Sequence, residues 1–137
     1  MFDIRMKNST LKRWWFALSM TWLAGTCSAM EPVTDLVKGG NLYATHCAEC
    51  HSVKEGKNKK GPSLFAILGS PSGQRENFVY SDGMKSKPVI WSAETLSSYL
   101  ANPKKAVPGG KMKFDGLESA SERDDLIAYL ASLSKPR

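Results

Sequence analysis

Two cysteines and a histidine lie within five residues of one another, in the segment Cys47-Ala48-Glu49-Cys50-His51. This is the C-x-x-C-H pattern typical of c-type haem attachment. Two thiols at this spacing can each add to one vinyl group of a haem, and the adjacent imidazole can bind the iron. The pattern therefore predicts one covalent haem c, held by Cys47 and Cys50, with His51 as an axial ligand.

Two other uses of this cysteine pair are less consistent with the sequence. A thioredoxin-like redox pair is typical of alternating strands and helices, and the sequence shows no strand-like alternation. A zinc site needs a second pair of Cys or His ligands. The chain has only three Cys and two His in total. The second histidine, His46, is interpreted as a solvated or packing residue.

A second axial ligand decides whether the iron is closed or open to small molecules. Met112 follows Pro108-Gly109-Gly110-Lys111, where the glycines let the backbone turn closely around a flat ligand. A Met thioether opposite a His raises the reduction potential of a haem. Met112 is the predicted ligand, and Met84 and Met30 are the alternatives in the chain that remains after residue 29.

The elements that position these residues are predicted to be helices. Apolar residues recur at helical spacing in three segments, each preceded by a Ser or Thr that can cap the helix. The segments are 34–47 with Thr34 as the cap, 92–101 with Ser92 as the cap, and a last helix that contains Leu126 and Leu130 and begins after Ser119 or Ser121.

The connections between these helices are long and rich in Gly and Pro. Segments 69–88 and 104–116 are predicted to be irregular. Loops of this length are uncommon in small domains unless something organises them. The sequence therefore predicts an all-α fold, with three or more short helices and long loops wrapped around one covalently bound haem.

Residues 1–29 have the composition of a secretory signal. Basic residues precede an uncharged, largely apolar stretch over 14–25, and small residues follow, with cleavage predicted after Ala29. An uncleaved anchor is the alternative. The sequence therefore predicts a signal peptide over 1–29, a haem domain over 30–137 and a periplasmic location.

Several further motifs follow the haem-attachment segment. They are Gly61-Pro62-Ser63-Leu64, Tyr80, Trp91, Tyr99-Leu100, Asn102-Pro103-Lys104-Lys105, Pro108-Gly109-Gly110-Lys111-Met112 and Glu122-Arg123-Asp124-Asp125-Leu126. On these residues the chain resembles, over 39–133, the class I cytochromes c of the mitochondrial and bacterial cytochrome c2 type.

The resemblance implies a role for four further side chains or carbonyls. The Pro62 carbonyl would accept from the ring N–H of His51, Tyr80 and Trp91 would donate to a haem propionate, and Tyr99 would donate to the sulfur of Met112. Gly39, Tyr43 and Tyr129 would form the crossing of the first and last helices.

This chain also departs from the family pattern. Ser70 stands where the family commonly has an Arg, Gly110 replaces a propionate-binding Thr, and Met84 replaces an Asn near the haem. Arg75 is a candidate to compensate for the missing Arg. These differences bear on how the propionates are held.

The resemblance implies a one-electron carrier and not an enzyme, because both axial positions of the iron would be filled. Two alternatives are a haem enzyme or gas or peroxide sensor with a labile Met112, and a membrane-tethered domain of a dedicated dehydrogenase. The net charge of +6 is too small to indicate nucleic acid.

The predicted partners of this monomer are redox proteins with acidic docking patches, such as a cytochrome bc1-type complex, a terminal oxidase, a reaction centre or a dehydrogenase. Membrane contact is expected only through them or through an uncleaved N-terminal segment. The lysines predicted to rim the haem edge are Lys57, Lys59, Lys60, Lys104, Lys105, Lys111 and Lys113.

Overall fold

Helices provide the regular structure of residues 33–86 and 88–133, the part of the chain that the computed structural model describes. In these residues one isolated bridge, between Pro71 and Ile90, is the only strand-like pairing. The all-α prediction is therefore confirmed. The five helices are α1 (Leu36–His46), α2 (Asp82–Lys85), α3 (Ala93–Ala101), α4 (Pro103–Ala106) and α5 (Ala120–Ser132).

The predicted signal segment over 1–29 and the alternative ligand Met30 lie outside the described residues. No helix within the described residues has the length and apolar character needed to cross a bilayer.

Helix α1 begins one residue later than the sequence suggests. The cap is Asp35 and not Thr34, because the Asp35 carboxylate accepts from the backbone N–H groups of both Val37 and Lys38, at 2.9 and 3.0 Å. A carboxylate also interacts favourably with the positive end of the helix dipole. Asp35 therefore satisfies two helix donors with one charged group.

Helix α1 crosses α5 at Gly39. A Cβ atom at Gly39 would lie 2.1 Å from the carbonyl oxygen of Asp125, so the two backbones meet at a distance that excludes any side chain. The rings of Tyr43 and Tyr129 pack beside this crossing, with their centroids 5.7 Å apart. The crossing of the first and last helices is thus confirmed, and it fixes the end of α1 that carries the cysteines.

A buried carboxylate strengthens the same junction. The Asp125 side chain, only 8% exposed, accepts from the Asp35 backbone N–H at 2.8 Å and pairs with Lys38 at 3.1 Å. The Asp35 N–H and then the Lys38 ammonium hold the pKa of Asp125 below its usual value. Asp125 therefore stays ionised at neutral pH and ties the start of α1 to α5.

Helix α3 begins where the sequence predicts. The Ser92 hydroxyl accepts from the Thr95 N–H at 3.1 Å, and the Thr95 hydroxyl accepts from the Ser92 N–H at 2.8 Å, which completes a capping box. Leu96 and Leu100 are buried and α3 packs against α5. The last helix begins after Ser119, one of its two predicted caps.

Two short helices lie in segments predicted to be irregular. Ser81 caps α2, and Asn102 caps α4, where Pro103 occupies the first turn. Pro103 ends α3 as predicted, but it also begins α4, since Pro is well suited to the first position of a helix. The sequence prediction for 69–88 and 104–116 was therefore wrong at these two turns.

Candidate functional site

The end of α1 brings the two cysteines and His51 into a single turn. Cys47 is the C-cap of α1, and its carbonyl accepts from the backbone N–H groups of Cys50 and His51, at 3.0 and 2.8 Å. Cys47 and His51 are buried and Cys50 is half-buried. The local fold therefore holds two thiols and one imidazole within reach of one flat ligand.

The thiols do not have the properties of a catalytic redox pair. No disulfide joins the two described cysteines, and burial raises the pKa of the Cys47 thiol to about 11. Reactive redox cysteines have a lowered pKa, because the thiolate is the attacking species. The thioredoxin-like interpretation therefore has neither the fold nor the ionisation that it requires.

The His51 ring is held in one orientation. Its Nδ1 lies 2.7 Å from the Pro62 carbonyl oxygen, which can only accept, so Nδ1 carries the proton. Burial lowers the pKa of His51, which keeps the ring neutral. The Nε2 lone pair is then available to a metal, and the carbonyl fixes the tautomer as is usual for metal-binding histidines.

The backbone passes close to the His51 ring on the side of Pro62. A Cβ atom at Gly61 would lie 2.3 Å from the His51 Cε1 atom. The Tyr43 hydroxyl donates to the His51 carbonyl at 2.9 Å. Sequence reasoning did not assign either contact, although the Gly-Pro pair after the loop is a signal of a close backbone approach.

A second group forms around Met112, in the loop between α4 and α5. The Tyr99 hydroxyl, from α3, lies 3.2 Å from the Met112 sulfur and donates to it. Burial raises the pKa of Tyr99, so the phenol keeps its proton. The Trp91 ring packs on Tyr99 with centroids 5.2 Å apart. The contact between Tyr99 and Met112 is the one that the family resemblance implies.

The backbone of Trp91 pairs with the segment around Ser70, and Tyr80 packs against Phe78. The backbone N–H of Trp91 donates to the Ser70 carbonyl at 3.0 Å, and the N–H of Gly69 donates to the Trp91 carbonyl at 2.8 Å. The Tyr80 ring packs edge-on against Phe78. Burial raises the pKa of Tyr80, so it too remains a hydroxyl donor near neutral pH.

The other residues considered from the sequence take different places. Met84, in α2, packs against the hydrophobic core, and the His46 ring packs near Phe114 with centroids 6.1 Å apart. All seven predicted surface lysines are exposed. Two of them have acidic neighbours, since Lys60 pairs with Glu49 and Lys104 pairs with Asp115.

The donor set fits a haem c. Two thiols in one turn match two vinyl groups, and a neutral imidazole nitrogen and a soft thioether sulfur, such as those of His51 and Met112, are ligands found on c-type haem iron. Around them, the aromatic and aliphatic side chains of the core supply an apolar surface. The residues of this core are Tyr43, Ile67, Trp91, Leu96, Leu100, Leu117, Leu126, Ile127 and Leu130.

Comparison with known proteins supports this interpretation over most of the chain. The sequence model of the family "Cytochrome c" matches residues 36–134. A cytochrome c of Gibberella zeae is 49% identical over 102 residues, which are 74% of this chain and 96% of the relative. A cytochrome c of Stellaria longipes is 46% identical over 102 residues, with 74% and 94% covered. A cytochrome c 2.1 of Caenorhabditis briggsae is 47% identical over 106 residues, with 77% and 95% covered.

The same comparison overturns the periplasmic location predicted from residues 1–29. All three organisms are eukaryotes, whereas the prediction required a bacterial exported protein. The reason for the error is physical. Basic residues beside apolar ones also occur in segments that direct proteins to organelles, so this composition does not identify a compartment.

Proposed function

Since this chain belongs to the cytochrome c family, we propose that Cys47 and Cys50 bind the haem covalently and that His51 and Met112 are its axial ligands. Membership implies one covalently bound haem c and makes the chain a haem-containing electron carrier. The haem supplies one-electron chemistry at its iron. The polypeptide holds the ligands, excludes water and presents the haem edge to partners.

The contact between Tyr99 and Met112 is the observation that carries this proposal. The phenol donates to the sulfur at 3.2 Å and so restrains the orientation of the Met112 side chain. A restrained thioether favours a closed iron site, and a closed site favours an electron carrier over an enzyme or a gas sensor. Pro62 has the corresponding role for His51, through the 2.7 Å contact with Nδ1.

We expect the native ferrous protein to resist carbon monoxide at neutral pH. The gas must displace the Met112 sulfur, which the Tyr99 hydroxyl helps to retain. The measurement is the visible spectrum of the reduced holoprotein before and after addition of carbon monoxide. Rapid and complete binding would favour the alternative of an enzyme or sensor with a labile methionine.

The partners are proposed to be redox proteins that present acidic surfaces, such as a bc1-type complex and an oxidase. Five of the predicted lysines form no ion pair with the residues that the structure describes. Lys60 and Lys104 are partly neutralised by exposed acidic neighbours. Complementary charge raises the rate of encounter between partners more than it raises affinity. The lysines therefore favour fast and short-lived contacts.

Electron exchange with such an oxidase is expected to slow by at least about tenfold between about 0.01 M and about 1 M salt. Over this range the Debye length falls from about 30 Å to about 3 Å. The double variant Lys105→Gln/Lys113→Gln is expected to weaken this salt dependence, and Lys85→Gln, outside the predicted set, serves as the control. A rate that hardly changes with salt would contradict docking through these lysines.

A further inference from the structure

Arg75 lies in the loop before α2 and has one polar atom without a partner. Its Nη2 donates to the carbonyl oxygens of Phe65 and Ala66, at 2.7 and 2.8 Å, and lies 3.4 Å from the Ser70 hydroxyl. Its Nε is buried and makes no hydrogen bond to the described residues. A buried donor left without an acceptor destabilises the folded state. We therefore expect Nε to have a hydrogen-bond acceptor outside the described residues.

The acceptors of Nη2 do not balance the charge of the guanidinium. All three are neutral oxygens, from two carbonyls and one hydroxyl. The carboxylates near Arg75 are those of Glu55 and Glu76, which line with it a solvent-open depression of about 390 Å³. A guanidinium forms its strongest hydrogen bonds with carboxylates, so the partner best suited to the buried Nε is an anionic oxygen.

Arg75 lies beside the residues assigned to the haem propionates. The backbone N–H of Arg75 interacts with the Tyr80 phenol oxygen and partly offsets the effect of burial on its pKa. Ser70, which Nη2 approaches, accepts from the Trp91 backbone N–H through its carbonyl. Arg75 thus contacts Tyr80 through its backbone, and Ser70 links its guanidinium to the backbone of Trp91.

We propose that the Arg75 Nε donates to a haem propionate, so that Arg75 is a cofactor-binding residue of this chain. The inference rests on the proposed haem site. A propionate is the anionic oxygen that Tyr80 and Trp91 would bring to this region. Ser70 has a side chain small enough to leave space for a guanidinium that arrives from position 75, and its hydroxyl adds one acceptor to the arrangement.

The replacement Arg75→Gln is expected to shift the ferric to ferrous equilibrium about tenfold toward the ferric form, which is about 59 mV for a one-electron couple. Removal of a positive charge near the haem stabilises the more positive iron. The measurement is a redox titration of the holoprotein. The variant Ser70→Arg/Arg75→Gln is expected to recover most of the shift, because residue 70 borders the same space.

Asn58→Ala is the matched control for a purely structural role of Arg75. Asn58 ties the same loop to its surroundings, since its amide donates to the Glu76 and Asn77 carbonyls at 3.0 and 3.1 Å, but it is neutral. Asn58→Ala is expected to lower the stability without a change in potential. An unchanged potential in Arg75→Gln, or an equal fall in Asn58→Ala, would overturn the proposal.

The wild-type holoprotein offers a test that does not depend on the folding of a variant. The Arg75 Nε–H proton is expected to show nuclear Overhauser contacts with the methylene protons of a propionate, and slow exchange with solvent. Absence of these contacts would refute the role of Arg75 while the haem spectrum stays intact. Loss of covalent haem or of methionine ligation in the wild type would instead refute the proposed function.

Discussion

Replacement of Met112 by Ala is expected to lower the reduction potential by at least about 0.1 V, within the range of ~0.8 V that axial ligands set. The thioether stabilises ferrous iron relative to water or a nitrogen ligand, and Ala removes it. The Tyr99 hydroxyl, 3.2 Å from the sulfur in the wild type, also loses its acceptor. Redox titration, the sulfur-to-iron charge-transfer band and carbon monoxide binding together measure the effect, and the variant is expected to bind the gas.

Met84→Leu is the control for this experiment, because Met84 is the other described methionine considered as a ligand. Met84 packs against the hydrophobic core, and Leu preserves that packing closely. The charge-transfer band is expected to remain in Met84→Leu and to disappear in Met112→Ala. The opposite pattern would show that the sequence-based choice of Met112 was mistaken.

The helices that the sequence predicted best are those with a strong local signal. Helix α3 has Ser92 as its cap and apolar residues that recur on one face, so its start depends on neighbouring residues alone. Helix α1 was predicted nearly as well. Its predicted cap was Thr34, but the observed cap is Asp35, because the Asp35 carboxylate accepts from two backbone donors at once. Competition between adjacent capping residues is not decided by their type alone.

Helices α2 and α4 were missed for a different reason. Each contains four residues, too few for a repeat of 3.6 to be recognised. Their capping residues, Ser81 and Asn102, are of types favoured in turns as well as at helix starts. Tertiary packing decides between the two outcomes, and the local sequence does not contain that information.

The candidate site shows the same division between local and distant information. Cys47, Cys50 and His51 are adjacent in sequence, so their chemistry could be predicted from spacing. The unpaired Nε of Arg75 could not be predicted in this way. Its position depends on the contact of the Arg75 side chain with the carbonyls of Phe65 and Ala66, about ten residues earlier in the chain. Resemblance to a family covered part of this gap, but Ser70, which the Arg75 guanidinium approaches, departs from the family pattern.

Gly61 is predicted to tolerate substitution poorly, because it faces the ring of His51, the proposed haem ligand. In Gly61→Ala the new methyl group would lie 2.3 Å from the His51 Cε1 atom and 2.8 Å from Nε2. The ring cannot easily move away, because the Pro62 carbonyl holds its Nδ1 at 2.7 Å. We expect the free energy of unfolding of the holoprotein to fall by about 2 to 3 kcal/mol, the upper part of the range for overpacking.

The same substitution at Gly40 separates this clash from a general effect of alanine. A Cβ atom at Gly40 would lie 3.4 Å from the nearest atom of the Tyr129 ring, and alanine favours the helix there by about 1 kcal/mol. The free energy of unfolding of Gly40→Ala, measured with denaturant, is therefore expected to lie within about 1 kcal/mol of the wild-type value. The absorption spectrum is expected to change only in Gly61→Ala, as the displaced imidazole binds iron less well. A Gly61→Ala protein with wild-type stability and spectrum would mean that the His51 ring has more freedom than its contacts with Gly61 and Pro62 allow.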